Sequence, residues 1–154
     1  MKIEPLRFTI TVGCPVHDAF RLWTEATSTW WPASHTVSGR AGVEVFFEGR
    51  GGGRIFERSP TGEEAEWGVI TPWGSTPPSG LSLAYPNRSR SATDVAIEFI
   101  DQGDRTTRVE IEHGGWERLG NRGPGWRDTN RAGWDGALPV YVSACNRTGL
   151  RQSR

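Results

Sequence analysis

The stretch from residue 41 to residue 113 constrains this chain more than any other feature. It alternates apolar and polar residues in short runs: AGVEVFFEG (41–49), GRIFERS (53–59), AEWGVITPW (65–73), GLSLAY (80–85), TDVAIEFID (93–101) and RTTRVEIEH (105–113). Alternation with period two sends successive side chains to opposite faces of a strand. The separators carry turn chemistry: a Gly-rich run at 49–53, Ser-Pro-Thr-Gly at 59–62, Ser-Thr-Pro-Pro-Ser at 75–79 and Asp-Gln-Gly-Asp at 101–104. Connections this short predict an antiparallel meander, because parallel neighbours need a crossover of about a dozen residues or more. Such a sheet has one apolar face that something must cover.

The flanking segments supply the cover. LRFTITV (6–12) alternates too and predicts a first strand, making about seven in all. Pro15 opens a helix over 15–26, with Val16, Ala19, Phe20 and Trp23 on one face and His17, Asp18 and Arg21 on the other. TSTWWP then predicts a short second helix or turn, stopped by Pro32. After residue 114, GGWERLGNRGPG reads as a loop. Beyond it Trp126, Asn130, Trp134, Leu138, Tyr141 and Cys145 fall on one helical stripe. Gly133, Gly136 and Pro139 would weaken or kink that helix, and Asp135 could cap a separate second segment. The expectation is an α+β fold: a single domain over 1–146, a frayed polar tail over 147–154, and a cleft between sheet and C-terminal helix.

Composition removes several function classes. A chain of 154 residues makes one domain, and 18 basic against 18 acidic residues leave it neutral. Arg118, Arg122, Arg127 and Arg131 lie among tryptophans, but Glu117 and Asp128 interrupt them; a solvated helix face is expected, and no nucleic-acid partner. No window has the apolar length of a membrane helix, and MKIEPLRFTI lacks a signal peptide's apolar run. A cytoplasmic location is the expectation. Cys14 and Cys145 are far apart in sequence and make neither a disulfide framework nor a zinc pattern. His17, His35 and His113 have no ligand spacing, so no metal is expected. The Gly49–Gly53 run is followed by a strand, not a helix, and the sole lysine, Lys2, cannot serve a phosphate loop. No cofactor is expected.

Several motifs, in order, carry a resemblance. They are Pro15 with Phe20 and Trp23; Trp30-Trp31-Pro32; Glu48-Gly49-Arg50 with Gly52-Gly53-Arg54; Trp67-Gly68 and then Trp73; Thr107-Arg108-Val109-Glu110-Ile111-Glu112-His113; and Gly133-Trp134. Over about residues 6–145 the sequence resembles the START-like, helix-grip (SRPBCC) superfamily. It is most similar to the bacterial branch named after the activator of a heat-shock chaperone ATPase. The resemblance implies a curved antiparallel sheet of about seven strands wrapped around a long C-terminal helix, with two short helices after the first strand. It also implies a cavity for lipids, polyketides or other apolar molecules. Some members are cyclases, aromatases or hydrolases and many only bind, with no shared catalytic set. A chaperone partner is implied by the branch name alone.

Eight tryptophans are heavy use for one small domain. Trp23, Trp67 and Trp134 read first as core packing, since aromatics dominate core energetics. Trp30, Trp31, Trp73, Trp116 and Trp126 are candidates to line an aromatic pocket, with Trp134 and Tyr141 of the helical stripe beside them. His113 shares a strand face with Val109 and Ile111, and so points into the cleft; it is a proton-transfer candidate, although a hydrogen-bonded histidine at the core's edge is the commoner outcome. Its acid partner would be Glu57, Glu66 or Glu112. If Ile55 faces inward, Glu57 does too, and burial would raise its pKa. If Phe56 faces inward, Arg54 and Arg58 do instead, and could bind an acidic ligand group. Three functions are compatible with these residues: a binder of a small apolar or aromatic molecule; a cyclase, dehydratase or hydrolase using His113 with a cavity carboxylate; and a co-chaperone-like interaction module.

Overall fold

The computed structural model describes residues 2–32, 42–48, 52–70, 73–76, 80–87 and 93–152. Among them, eight strands form two antiparallel sheets. They are β1 (Leu6–Val12), β2 (Glu44–Phe47), β3 (Arg54–Arg58), β4 (Glu64–Val69), β5 (Trp73–Thr76), β6 (Gly80–Asn87), β7 (Thr93–Gly103) and β8 (Thr106–Gly114). The large sheet runs β1-β8-β7-β6-β5 and the small sheet β2-β3-β4. This corrects the expectation of one sheet of about seven strands. The run 65–73 is not one strand: the chain leaves the small sheet after Val69 and enters the large one at Trp73. Proline at position 72 has no amide hydrogen to continue a ladder.

The alternation in the sequence becomes the inner face of the large sheet. Leu6 pairs with His113, Phe8 with Ile111, Ile10 with Val109 and Val12 with Thr107. On the other side of β8, Val95 faces His113, Ile97 faces Ile111 and Phe99 faces Val109. All of these are buried or half-buried, while Arg7, Thr9, Asp94 and Glu112 between them are exposed. The outward set forms weak exposed pairs, such as Arg7 with Glu112 at 3.8 Å.

Two helices cover this face. Helix α1 (Val16–Thr24) begins after Pro15 and buries Ala19, Phe20 and Trp23. The Phe20 and Trp23 rings meet Phe99 edge-on at 5.3 and 5.9 Å. The next element is only a 3₁₀ turn over Thr27–Thr29, not a second short α-helix. The Thr27 hydroxyl donates to the Trp23 carbonyl, turning the chain back at that point.

Helix α2 (Gly123–Gln152) is continuous across Gly133, Gly136 and Pro139. Asp135 caps no separate segment; packing of the apolar stripe outweighs local propensity. The segment 147–152, expected to fray, continues the helix. A reason lies at Gly149, where an added Cβ would come within 1.8 Å of the Gly13 carbonyl oxygen. Only glycine allows the helix so close to the corner between β1 and α1. One turn earlier, Asn146 Oδ1 accepts a hydrogen bond from the Gly13 amide at 2.7 Å. The predicted loop before α2 is a 3₁₀ segment, Trp116–Arg122, entered through Gly115 at φ 94°.

Candidate functional site

The aromatic residues of both helices meet in one cluster under the large sheet. Trp23 lies 4.8 Å from Tyr141 and 6.1 Å from Trp134, ring centre to ring centre. Trp30 lies 5.0 Å from Trp23 and 4.8 Å from Tyr141. Trp31, half-buried, extends the cluster outward: it touches Trp30 at 5.3 Å, Trp134 at 6.2 Å and Trp67 of the small sheet at 5.1 Å. Trp31 thus spans from α2 to the three-stranded sheet.

Hydrogen bonds sort these rings. The indole N–H is a donor only and, when buried, takes an acceptor. Trp30 Nε1 donates to the Leu22 carbonyl at 2.8 Å. Trp116 Nε1 donates to the His113 carbonyl at 2.9 Å. Trp134 Nε1 donates to His113 Nδ1 at 3.1 Å. The Tyr141 hydroxyl donates to the Ala19 carbonyl at 2.7 Å, tying α2 to α1. These four of the predicted pocket residues therefore have their polar atoms committed within the protein. Trp126 is half-buried against the core from the first turns of α2. Trp73 lies on β5, and its side chain is outside the described part of the structure.

His113 occupies the expected face and is buried. Thr93 Oγ1 lies 2.7 Å from Nε2, Trp134 donates to Nδ1, and the Trp116 ring packs at 4.4 Å. Burial pushes its pKa down to about 4, against a smaller opposing pull from the Asp94 carboxylate. Both ring nitrogens are engaged, so the residue is a neutral strut between β8 and α2.

Of the three acids, Glu66 and Glu112 are exposed and Glu112 pairs with Arg7. Glu57 is 1% exposed, and it alone among the acidic side chains of the described residues is buried. Its strand resolves the open register. Ile55 and Glu57 face the interior, opposite Phe47 and Val45 of β2. Phe56 lies on the other face, stacked on Phe46 at 5.2 Å, with the Arg54 guanidinium 4.3 Å above its ring. Arg54 also pairs with Glu48 and Glu64, and Arg58 with Glu64, whose carboxyl these arginines, Arg58 foremost, hold below the usual range. Arg54 is thus on the face away from Glu57.

A register shift opposite the Ile55–Phe56 step leaves Trp67 as an additional residue of β4. Ala65 faces Glu57 across the ladder, and Trp67, two residues further on, is buried on that side against Trp31. A bulge of this kind re-aims a side chain. It was not legible from AEWGVITPW, where Trp67 reads as an ordinary core residue.

The structure also unites two residues read as unrelated. The buried thiols of Cys14 and Cys145 share a hydrogen bond where α2 docks on the β1–α1 corner. That bond holds Cys14 below the usual thiol range and, with burial, raises Cys145. Thr107 Oγ1 completes the corner by donating to the Cys14 carbonyl at 2.8 Å.

No family model and no curated protein matches this sequence. Solved structures do. An anthrahydroquino-γ-pyrone synthase, Txn09, is 29% identical over 79% of this chain and 83% of its own, with a TM-score of 0.55. The self-sacrificing resistance protein CalC from Micromonospora echinospora is 23% identical over 97% and 96%, with a TM-score of 0.59. Protein NE0264 from Nitrosomonas europaea is 15% identical over 98% and 96%, also at 0.59. These likenesses show a helix-grip fold, an antiparallel sheet closed over a long C-terminal helix.

Proposed function

We propose that this protein binds a small, flat, apolar or aromatic molecule between the three-stranded sheet and the C-terminal helix. The observation that carries the reading is the aromatic span Trp67–Trp31–Trp134, with the buried Glu57 carboxyl on the same inner face as Trp67. Small-molecule sites combine aromatic walls with a few placed polar groups. The likeness to an anthrahydroquino-γ-pyrone synthase supports a fused, oxygen-bearing ring system over a fatty chain. Native mass spectrometry of freshly purified protein, followed by titration with a panel of polycyclic aromatics, tests this. Saturable binding in the micromolar range is expected; no saturable binding across the panel removes the reading.

A second reading, an enzyme of cyclase, dehydratase or hydrolase type, rests on Glu57 and not on His113. A carboxyl in a dry, apolar setting is suited to proton transfer, whereas both His113 nitrogens serve the fold. Under this reading Glu57→Gln keeps ligand affinity and loses turnover. The co-chaperone reading, and with it placement in the chaperone-activator branch, rests on motif order alone. Among the described residues only Val140 and Leu150 are large exposed apolar side chains, which is no docking patch.

A further inference from the structure

We propose that the inner face of the three-stranded sheet carries a polar subsite, formed by the Trp67 indole N–H and the Glu57 carboxyl, that selects a hydroxylated aromatic ketone or quinone. The proposal rests on the small-molecule reading above and adds the ligand's chemical class. It starts from the indole donors. Trp30, Trp116 and Trp134 all donate within the protein. Trp67 is 7% exposed, yet its Nε1 has no acceptor among the described residues. A buried donor without an acceptor is costly and uncommon, and Trp67, two residues after the inward-facing Ala65, lies on the inner face of β4 by strand alternation.

The ligand chemistry is set by the groups present. An indole N–H can only donate, so its ligand partner is an acceptor, and a ring carbonyl supplies one in the plane of a flat molecule. Trp31, 5.1 Å from Trp67, offers an aromatic surface beside it. Glu57 faces Ala65, so Trp67 is its diagonal neighbour on the same face. A carboxyl oxygen there accepts from a phenolic hydroxyl, which a fatty-acid carboxylate does not offer. A plain hydrocarbon would leave the Trp67 N–H unmatched.

Equilibrium dialysis with a dihydroxyanthraquinone, anthracene and palmitate tests the idea on the whole chain. The quinone is expected to bind at least about tenfold more tightly than the other two, as two added hydrogen bonds allow. Trp67→Phe, which keeps a ring and loses the N–H, is expected to weaken quinone binding by about 3–10-fold and leave anthracene unchanged. In the unaltered protein, the Trp67 indole N–H resonance should move downfield with the quinone and not with anthracene. Equal losses for both ligands in Trp67→Phe, or no loss, would overturn the subsite, and so would an indole resonance indifferent to the carbonyl. Should anthracene bind and the quinone bind no better, the small-molecule reading stands and the subsite falls. If none of the three binds, the small-molecule reading itself is lost.

Discussion

Trp134 Nε1 lies 3.1 Å from His113 Nδ1, and this contact fixes the protonation of the imidazole. An indole has only a hydrogen to give, so Nδ1 must keep its lone pair. The ring proton then sits on Nε2, facing Thr93 Oγ1 at 2.7 Å. NMR of the imidazole should show the Nε2–H tautomer and a titration near 4. A midpoint above 6 would contradict the arrangement.

The same shift makes stability pH-dependent. The folded-state pKa of about 4 lies below the ordinary histidine value of 6.5, so the unfolded chain binds the extra proton first as pH falls. The contribution of His113 is complete above about pH 6.5 and declines as pH falls towards 4, by on the order of 3 kcal/mol across that window. Denaturant melts at about pH 7 and about pH 4.5 should differ in this direction, and His113→Gln should flatten the difference.

Removing the donor tests the strut directly. Trp134→Phe leaves Nδ1 buried without its N–H, at a cost of about 1–3 kcal/mol. The His113 pKa should rise in this variant, because the lost bond favoured the neutral ring. Paired chemical melts and NMR titrations would reveal both effects.

Much of this arrangement was legible in the sequence. The alternation at 6–12 and 93–113 marks β1, β7 and β8 within a few residues, since each strand has one dry face and one wet one. Placing His113 with Val109 and Ile111 needed only that parity. What the sequence withheld depends on pairing. Pro72 marks an interruption, but nothing local tells that Val69 and Trp73 pair in different sheets, or that β4 carries a bulge at Trp67. The parity of β3 stayed open because Phe56 is as apolar as Ile55; stacking on Phe46 beneath two arginines decides it. The effect of Pro139 stayed open for a similar reason: contacts remote in sequence carry the helix on through it to Gln152.

Two glycines of α2 should respond oppositely to alanine. Gly149→Ala puts a methyl group onto the Gly13 carbonyl and must push the helix off its corner, costing several kcal/mol by overpacking. At Gly133 an added Cβ meets nothing within 4 Å, so alanine should stabilise by about 0.5–1 kcal/mol through helix propensity. Thermal melts of both variants check the pair; similar shifts would refute the docking geometry.

The free thiols of Cys14 and Cys145 are fully buried and hydrogen-bonded to each other. A disulfide-exchange reagent at about pH 8 should therefore label neither in the folded protein and both in denaturant. Rapid labelling of the folded protein would mean that the corner opens locally.

The pairing of β1 has a consequence for biosynthesis. In the described sheet β1 has a single neighbour, β8, and Leu6 sits opposite His113. At about 5–20 residues per second, a translating ribosome exposes the first strand for roughly 5–20 s before its partner exists. Trp134, Tyr141 and Cys145, which close the core, emerge later still. The first strand therefore stays without its partner until β8 has emerged, and the core closes only after α2 has followed it.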